Sequence, residues 1–203
     1  MPASWVRRAF GGVGVTQYPP GPHLAAVQEH HAGAALLCLD VSASMSGSPL
    51  EAARRGAMTF LAEAREAHYR VGLVLWNHGI VSATPVGAPV EETAATLRRA
   101  IASGGTELAD TLRHAIDVLA PLSGDRVVCV FGDGDVGDAR TCARLVGEAR
   151  GHGIRFVVRG LGEPATRALS SVLTPEDQVA DQIVEDTSRI TSGIASMARH
   201  LRR

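Results

Sequence analysis

Lysine is absent from this chain of 203 residues, so its 20 basic residues are all arginines. They are balanced by 21 acidic residues, which leaves a net charge of −1 at neutral pH. Proteins that bind nucleic acid or an anionic membrane surface through charge carry a clear excess of basic residues. The composition therefore argues against both kinds of partner. The arginine pairs at 54/55 and 98/99 lie in predicted helices, where a solvent-exposed face accounts for them.

Cysteine is also scarce. The three cysteines, Cys38, Cys129 and Cys142, contain no Cys-x-x-Cys pair, and an odd number does not complete a disulfide framework. We expect them to be small buried side chains rather than zinc ligands or disulfide partners.

Long apolar runs are missing as well, because no segment reaches the roughly 18 residues of a membrane-spanning helix. The pair Arg7-Arg8 resembles the start of a twin-arginine export signal. The sequence after it is rich in glycine and proline and lacks the apolar segment that such a signal needs. We therefore expect a cytoplasmic protein with no membrane span.

Two regions of the chain differ in pattern. Residues 1–33 contain Gly11-Gly12 and Pro19-Pro20-Gly21-Pro22 with little periodicity, which predicts an N-terminal arm or linker. Residues 34–203 have the length of a single α/β domain with one core.

Within residues 34–203, strand and helix patterns alternate. Apolar runs predict strands at residues 34–40, 70–76, 126–132 and 154–160, with an antiparallel edge strand at 81–86 and a short strand near 179–184. Such alternation is typical of an α/β fold in which a doubly wound, mostly parallel sheet has helices on both faces.

Helix signals fall between the predicted strands. Ser48-Pro49-Leu50-Glu51 combines the spacing of a capping box with proline at the first helical position, which predicts a helix start. Further helices are predicted at about 91–102 and 107–119, after Asp138 as a cap, and from about Thr187.

Oxygen-bearing side chains follow two of the predicted strands. The run that ends at Leu39 is followed by Asp40-x-Ser42-x-Ser44, and the run that ends at Phe131 is followed by Gly132-Asp133-Gly134. Ligands of open α/β sheets gather at the carboxyl ends of the strands. Carboxylate and hydroxyl oxygens are hard ligands, which suit magnesium, manganese or calcium better than zinc. The pattern therefore predicts a cation site.

Asp40-x-Ser42-x-Ser44, the later Gly104-Gly105-Thr106, and Asp133 after a hydrophobic strand resemble the three parts of the metal-ion-dependent adhesion site of the von Willebrand factor A (vWA) domain. The resemblance covers residues 34–203 and implies a Rossmann-like vWA fold. It also implies that Ser42, Ser44 and Thr106 supply hydroxyl ligands to Mg²⁺ (or Mn²⁺ or Ca²⁺), and that Asp40 and Asp133 bind it directly or through water. In this family the remaining coordination position accepts an acidic side chain from a partner protein.

Each of these residues also has an ordinary explanation. Thr106 precedes a predicted helix and would serve as its N-cap, Ser42 and Ser44 would line a turn, and Asp133 would form an Asx turn. Cap and turn preferences alone do not account for all five residues in one α/β chain, and their combination favours the metal site.

The resulting functional hypothesis is a protein-binding module that is not an enzyme. Bacterial domains of this kind resemble components that work beside an AAA+ ATPase or in signalling and conflict systems. One alternative is a magnesium-dependent phosphoryl-transfer enzyme or phosphatase with Asp40 as nucleophile, although Ser42 stands where such sites place a second Asp and no lysine is available to balance phosphate. Another is a scaffold protein whose metal site is vestigial.

Overall fold

The computed structural model describes residues 32–173 and 183–201, which form a six-stranded sheet with helices on both faces. The strand order is β3-β2-β1-β4-β5-β6, and all neighbouring strands are parallel except β2 and β3. The strands are β1 (Gly33–Asp40), β2 (Tyr69–Trp76), β3 (Ile80–Thr84), β4 (Arg126–Gly132), β5 (Ile154–Leu161) and β6 (Ile183–Val184).

Six α-helices connect or follow these strands in the described part of the chain: α1 (Ser48–Glu66), α2 (Val90–Arg99), α3 (Ala109–Leu119), α4 (Ala139–Gly151), α5 (Gly162–Leu173) and α6 (Ile190–Ser196). Short 3₁₀ turns cover Ala43–Met45, Thr187–Arg189 and Met197–His200. None of the helices within the described ranges is long and apolar enough to cross a membrane.

The central strands are buried on both faces, which is why they appear in the sequence as continuous apolar runs. Alternate residues of β1 divide between two cores: Leu37 and Leu39 pack with α1 and α6, while Leu36 and Cys38 pack with α3 and α4. Strand β4 divides in the same way. The fold class predicted from the sequence is confirmed.

All three cysteines are free and buried, as predicted. Cys38 lies in β1 and Cys129 lies beside it in β4, where the Cα partner of Cys129 is Leu37. Burial raises the pKa of the Cys129 thiol to about 12 and that of the Cys142 thiol to about 11. Burial also raises the pKa of the Cys38 thiol well above its usual range.

The strand order reverses beside β1. The chain moves from β1 through α1 to β2 on one side, and later returns to place β4 on the other side of β1. Asp40 ends β1 and Asp133 follows directly on β4, so the two aspartates lie at neighbouring strand ends. A reversal of this kind opens a crevice at the carboxyl ends of the strands, where ligands of α/β folds bind.

Most of the predicted elements are present with small shifts at their ends. Strand β3 is antiparallel and lies at the sheet edge, as the run at residues 81–86 predicted. Helix α2 ends at Arg99 and α3 begins at Ala109, so the loop between them is longer than predicted. The arm predicted for residues 1–33 lies outside the described residues except for its last two positions, as do residues 179–182 of the predicted short strand.

The start of α1 differs from the prediction. Ser48 is the first helical residue rather than the cap, and no side chain caps this helix. Gly47 holds the cap position with φ of 79°, and its carbonyl accepts a hydrogen bond from the Glu51 N–H at 3.2 Å. Pro49 does lie in the first turn, where a missing N–H costs nothing.

Helices α1 and α6 approach each other closely at Gly56. A Cβ atom on Gly56 would lie 2.8 Å from the Thr191 carbonyl oxygen and 2.9 Å from the Ile194 Cβ. The Thr191 carbonyl is backbone, so it cannot move aside without shifting α6. Glycine is therefore required here for packing, although it weakens the helix itself.

We predict that Gly56→Ala destabilises the protein. Overpacking costs about 1–3 kcal/mol, which exceeds the gain of about 1 kcal/mol from replacing glycine in a helix. Gly147 in α4 is the matched control, because it is exposed and a Cβ there would meet nothing within 4 Å. Gly147→Ala should raise the free energy of unfolding by up to about 1 kcal/mol. Urea denaturation of both variants measures the difference, and equal stability would show that α1 and α6 are packed more loosely.

Candidate metal centre

Asp40 is a buried carboxylate at the end of the central strand β1, with 0% of its surface exposed. Its Oδ1 accepts a hydrogen bond from the Ser42 N–H at 2.7 Å. Its Oδ2 is buried and has no hydrogen-bond partner. This oxygen lies near β4, because a Cβ on Gly132 would come within 3.3 Å of it. Asp40 Oδ2 is thus a buried acceptor without a hydrogen-bond donor.

The surroundings of Asp40 disfavour its negative charge. Burial raises its pKa to about 6, and the nearby Asp133 carboxylate adds to the increase. Hydrogen bonds from Ser42 and, to a smaller extent, the backbone N–H of Asp133 lower the pKa but do not cancel the effect of burial. A buried carboxylate in this position gains stability either from a proton or from a cation.

The serine hydroxyls connect the β1 loop to the end of β4. Ser44 Oγ donates a hydrogen bond to Asp133 Oδ1 at 2.9 Å, and Ser42 Oγ lies 3.5 Å from the same oxygen. The two serine hydroxyls are 3.1 Å apart. The 3₁₀ turn Ala43–Met45 produces this arrangement, because it curls the chain so that both hydroxyls point to one place. Four of the five predicted ligands therefore form one contiguous group.

Thr106 reaches the same place from the loop between α2 and α3. A Cβ on Gly134 would lie 3.8 Å from Thr106 Oγ1, so the threonine hydroxyl faces the residue after Asp133. Within the described residues, this hydroxyl makes no hydrogen bond. Its loop is joined to the serine loop by two backbone hydrogen bonds, from Ala43 N to Gly104 O at 3.1 Å and from Ser103 N to Val41 O at 2.8 Å.

Two residues that sequence reasoning missed hold the Thr106 loop in place. Asn77 is 3% exposed. Its side-chain Nδ2 donates to the Ser103 carbonyl oxygen at 2.8 Å, and its backbone carbonyl accepts from the Glu107 N–H at 2.6 Å. Glu107 accepts hydrogen bonds from the backbone N–H groups of Ala109, at 3.2 Å, and Asp138, at 3.3 Å. Asn77 thus holds the loop on both sides of Thr106, and Glu107 links it to the segment after Asp133.

The ordinary explanations fit only some of the residues. Thr106 does not cap α3, since Leu108 occupies the N-cap position and no side chain caps that helix. Asp133 accepts from serine hydroxyls, an interaction with residues some 90 positions away rather than a local turn. Asp138 does cap α4, as predicted, because its carboxylate accepts from Arg140 N and Thr141 N at 3.0 and 3.2 Å.

The donor set decides which ions would fit. In residues 32–173 and 183–201, no group of three or more His, Cys, Asp or Glu side chains could hold a metal ion. An ion at this place would therefore depend on hydroxyl oxygens as much as on the two carboxylates. Oxygen-only ligand sets suit magnesium, manganese and calcium, whereas zinc favours sulfur and imidazole. The free Asp40 Oδ2 and the unpaired Thr106 hydroxyl fit such an ion.

Comparison with known proteins agrees with this architecture. Residues 35–135 match the family model of the von Willebrand factor type A domain. That segment contains all five predicted ligands, from Asp40 to Asp133. Among curated proteins, none matches this chain.

Several solved structures share the fold at low sequence identity. A von Willebrand factor type A protein from Catenulispora acidiphila is 18% identical, with a TM-score of 0.67 over 84% of this chain and 43% of its own. The vWF domain of the type V pili tip protein Mfa5 from Porphyromonas gingivalis is 11% identical, with a TM-score of 0.68 over 85% and 95%. The manganese-loaded TRAP protein of Plasmodium vivax is 12% identical, with a TM-score of 0.63 over 83% and 74%.

The present chain spans less than half of the length of the Catenulispora protein. Identities of this size carry information about the fold alone. Together, the match to residues 35–135 and the shared architecture support a von Willebrand factor type A domain in this chain.

Proposed function

We propose that this chain is a protein-binding module whose binding depends on a divalent cation, and that it captures an acidic side chain of its partner. Asp40, Ser42, Ser44, Thr106 and Asp133 would hold Mg²⁺, or Mn²⁺ or Ca²⁺ in its place. When bound, the ion supplies a Lewis-acidic position that attracts a carboxylate. The observation that carries the proposal is the convergence of three loops on the buried Asp40, whose Oδ2 has no donor.

The charges at the site support capture of an acid. The charges of two carboxylates equal the charge of a divalent ion, but the serine and threonine hydroxyls are neutral and add no negative charge, so the ion still attracts a carboxylate. A third carboxylate supplied by a partner is then attracted to the ion by a charge-dependent interaction that the low dielectric of a partly buried site strengthens. The manganese-loaded TRAP structure and the pili tip domain provide support by analogy.

We propose binding rather than catalysis, because the site contains no nucleophile paired with a base. Asp40 is buried beneath the serine loop, with Oδ1 held by a backbone N–H, which is a poor position for attack on a substrate. The partner class is a protein that offers Asp or Glu. An association with an AAA+ ATPase or with a signalling or conflict system rests on the family resemblance alone.

Removal of one ligand hydroxyl should weaken cation binding. Ser44→Ala removes a hydroxyl that donates to Asp133, and we expect the Mn²⁺ affinity to fall about tenfold or more. In the wild type, a cation at about one hundred times its dissociation constant should add about 2.7 kcal/mol to the stability. Thermal unfolding with and without Mn²⁺ or Mg²⁺, together with titration by electron paramagnetic resonance of Mn²⁺, measures both effects.

Ser46→Ala is the matched control for that experiment. Ser46 is the third serine of the series Ser42, Ser44, Ser46. It is exposed and is not in the proposed ligand set. Its replacement should leave the Mn²⁺ affinity unchanged. Equal affinities for the two variants, or no cation-induced stabilisation of the wild type, would contradict the proposed site.

The raised pKa of Asp40 predicts how stability depends on pH in the absence of divalent cations. The folded-state pKa of about 6 lies above the ordinary aspartate value of 3.8, so the folded protein holds this proton more tightly than the unfolded chain. The associated stability is complete below the lower value and is lost as the pH rises through the higher one, at about 1.4 kcal/mol for each pKa unit.

Asp40→Asn isolates this effect, because asparagine has nearly the same shape and does not titrate in this range. In chelator, the stability of the wild type relative to Asp40→Asn should fall between the two pKa values and become constant above the higher one. Urea denaturation across this range measures the difference. A stability difference between the two proteins that stays constant with pH would show that folding does not raise the pKa of Asp40.

Partner capture is tested by affinity purification from the native cell. The wild-type chain should retain its partner in Mg²⁺ and release it in chelator, and Ser44→Ala should retain less of it than Ser46→Ala. Retention that is equal in Mg²⁺ and chelator would contradict the proposal. Turnover of a generic phosphoester that disappears in Asp40→Asn would instead favour the enzyme.

A further inference from the structure

A groove opens at the sheet edge next to the Thr106 loop. Its volume is about 340 Å³, and it lies between the edge strand β3 and the C-terminal end of α2. Its lining includes Val81, Arg99, Ile101 and Ser103.

Two aliphatic side chains of this groove face solvent. Ile101 is 73% exposed and Val81 is 48% exposed, although large aliphatic residues are usually buried. Ile101 stands in the loop that follows α2 and leads to Thr106. Exposed apolar surface that is concentrated at one concave place indicates a contact surface for another molecule.

The groove is close to the candidate metal centre. Ser103 lines the groove and precedes Thr106 by three positions. Because an extended chain spans about 3.3–3.6 Å per residue, the Cα atoms of these two residues lie within about 11 Å of each other. A partner segment that places a carboxylate at the centre therefore reaches the Ser103 side of the groove with a residue about three positions away.

The charge of the groove matches an acidic segment. Arg99 is the one charged residue among its described lining residues, and none of them is acidic. β3 is also the edge strand of the sheet in the described chain, so one side of its backbone pairs with no other strand. An extended peptide that carries aliphatic and acidic residues fits both properties.

We propose that this groove binds an aliphatic side chain of the same partner segment whose carboxylate is captured at the metal centre. The partner is thus an extended, acidic segment with Leu, Ile, Val or Met within three residues of the captured Asp or Glu. This inference rests on the proposed function, because the carboxylate fixes the segment beside the groove. Arg99 faces any second acidic residue of the segment.

A displayed library of random peptides, each with a fixed central Asp, tests the inference without knowledge of the natural partner. Peptides bound to the wild-type chain in Mg²⁺ are eluted with chelator and sequenced. We expect aliphatic residues to be enriched within three positions of the Asp. A synthetic peptide of that consensus should bind Ile101→Ser about tenfold more weakly than wild type.

Met58→Ser is the matched control, because Met58 is an exposed aliphatic residue on α1 and does not line the groove. It should bind the consensus peptide like wild type. Both variants should keep the Mn²⁺ affinity of the wild type, since neither residue is a proposed ligand.

The outcomes separate the two proposals. Peptides eluted by chelator that show no aliphatic preference, or that bind Ile101→Ser as well as wild type, would overturn the groove assignment and leave the metal centre intact. An absence of chelator-eluted peptides would overturn both. A dimer in sedimentation experiments that Ile101→Ser abolishes would assign the groove to a second copy of this chain instead.

Discussion

The proposed site depends on a carboxylate that is buried at the end of the central strand and has one oxygen without a hydrogen-bond donor. Asp40 is buried because β1 lies in the middle of the sheet and the 3₁₀ turn after it folds over the strand end. An isolated buried charge is costly, so the group either takes up a proton or pairs with a cation. The proposed cation site follows from this requirement and from the hydroxyls that surround it.

Three loops must stay in place for those hydroxyls to meet, and hydrogen bonds between backbone groups, or from side chains to backbone groups, hold them. The serine loop and the Thr106 loop exchange bonds at Ala43 and Ser103, and Asn77 fixes the second loop from β2. Supporting contacts of this kind position ligands in metal sites, and their loss weakens binding even when every ligand is present.

Much of this arrangement is predictable from the sequence, for reasons that differ between elements. The central strands are recognisable because burial on both faces makes them continuous apolar runs, as in β1 and β4. Helix α5 is not among the helices for which bounds are predicted from the sequence. Its first turn contains Gly162 and Pro164, residues that are more typical of turns than of helices. Strand-end reasoning predicts that Asp40, Ser42, Ser44 and Asp133 lie together. The resemblance to the vWA site adds Thr106, and the metal itself remains a prediction. Asn77 and Glu107 were missed because their partners are backbone groups of distant loops, which no local pattern records.

The two cysteines of the central strands give this fold a built-in reporter. Cys38 stands two residues before Asp40, and Cys129 stands four residues before Asp133, so both thiols lie inside the strands that support the site. Their raised pKa values keep them as unreactive thiols while the sheet is closed. Alkylation by a thiol reagent therefore requires the helices that cover β1 and β4 to open, and its rate measures the opening of the two cores beneath the candidate centre.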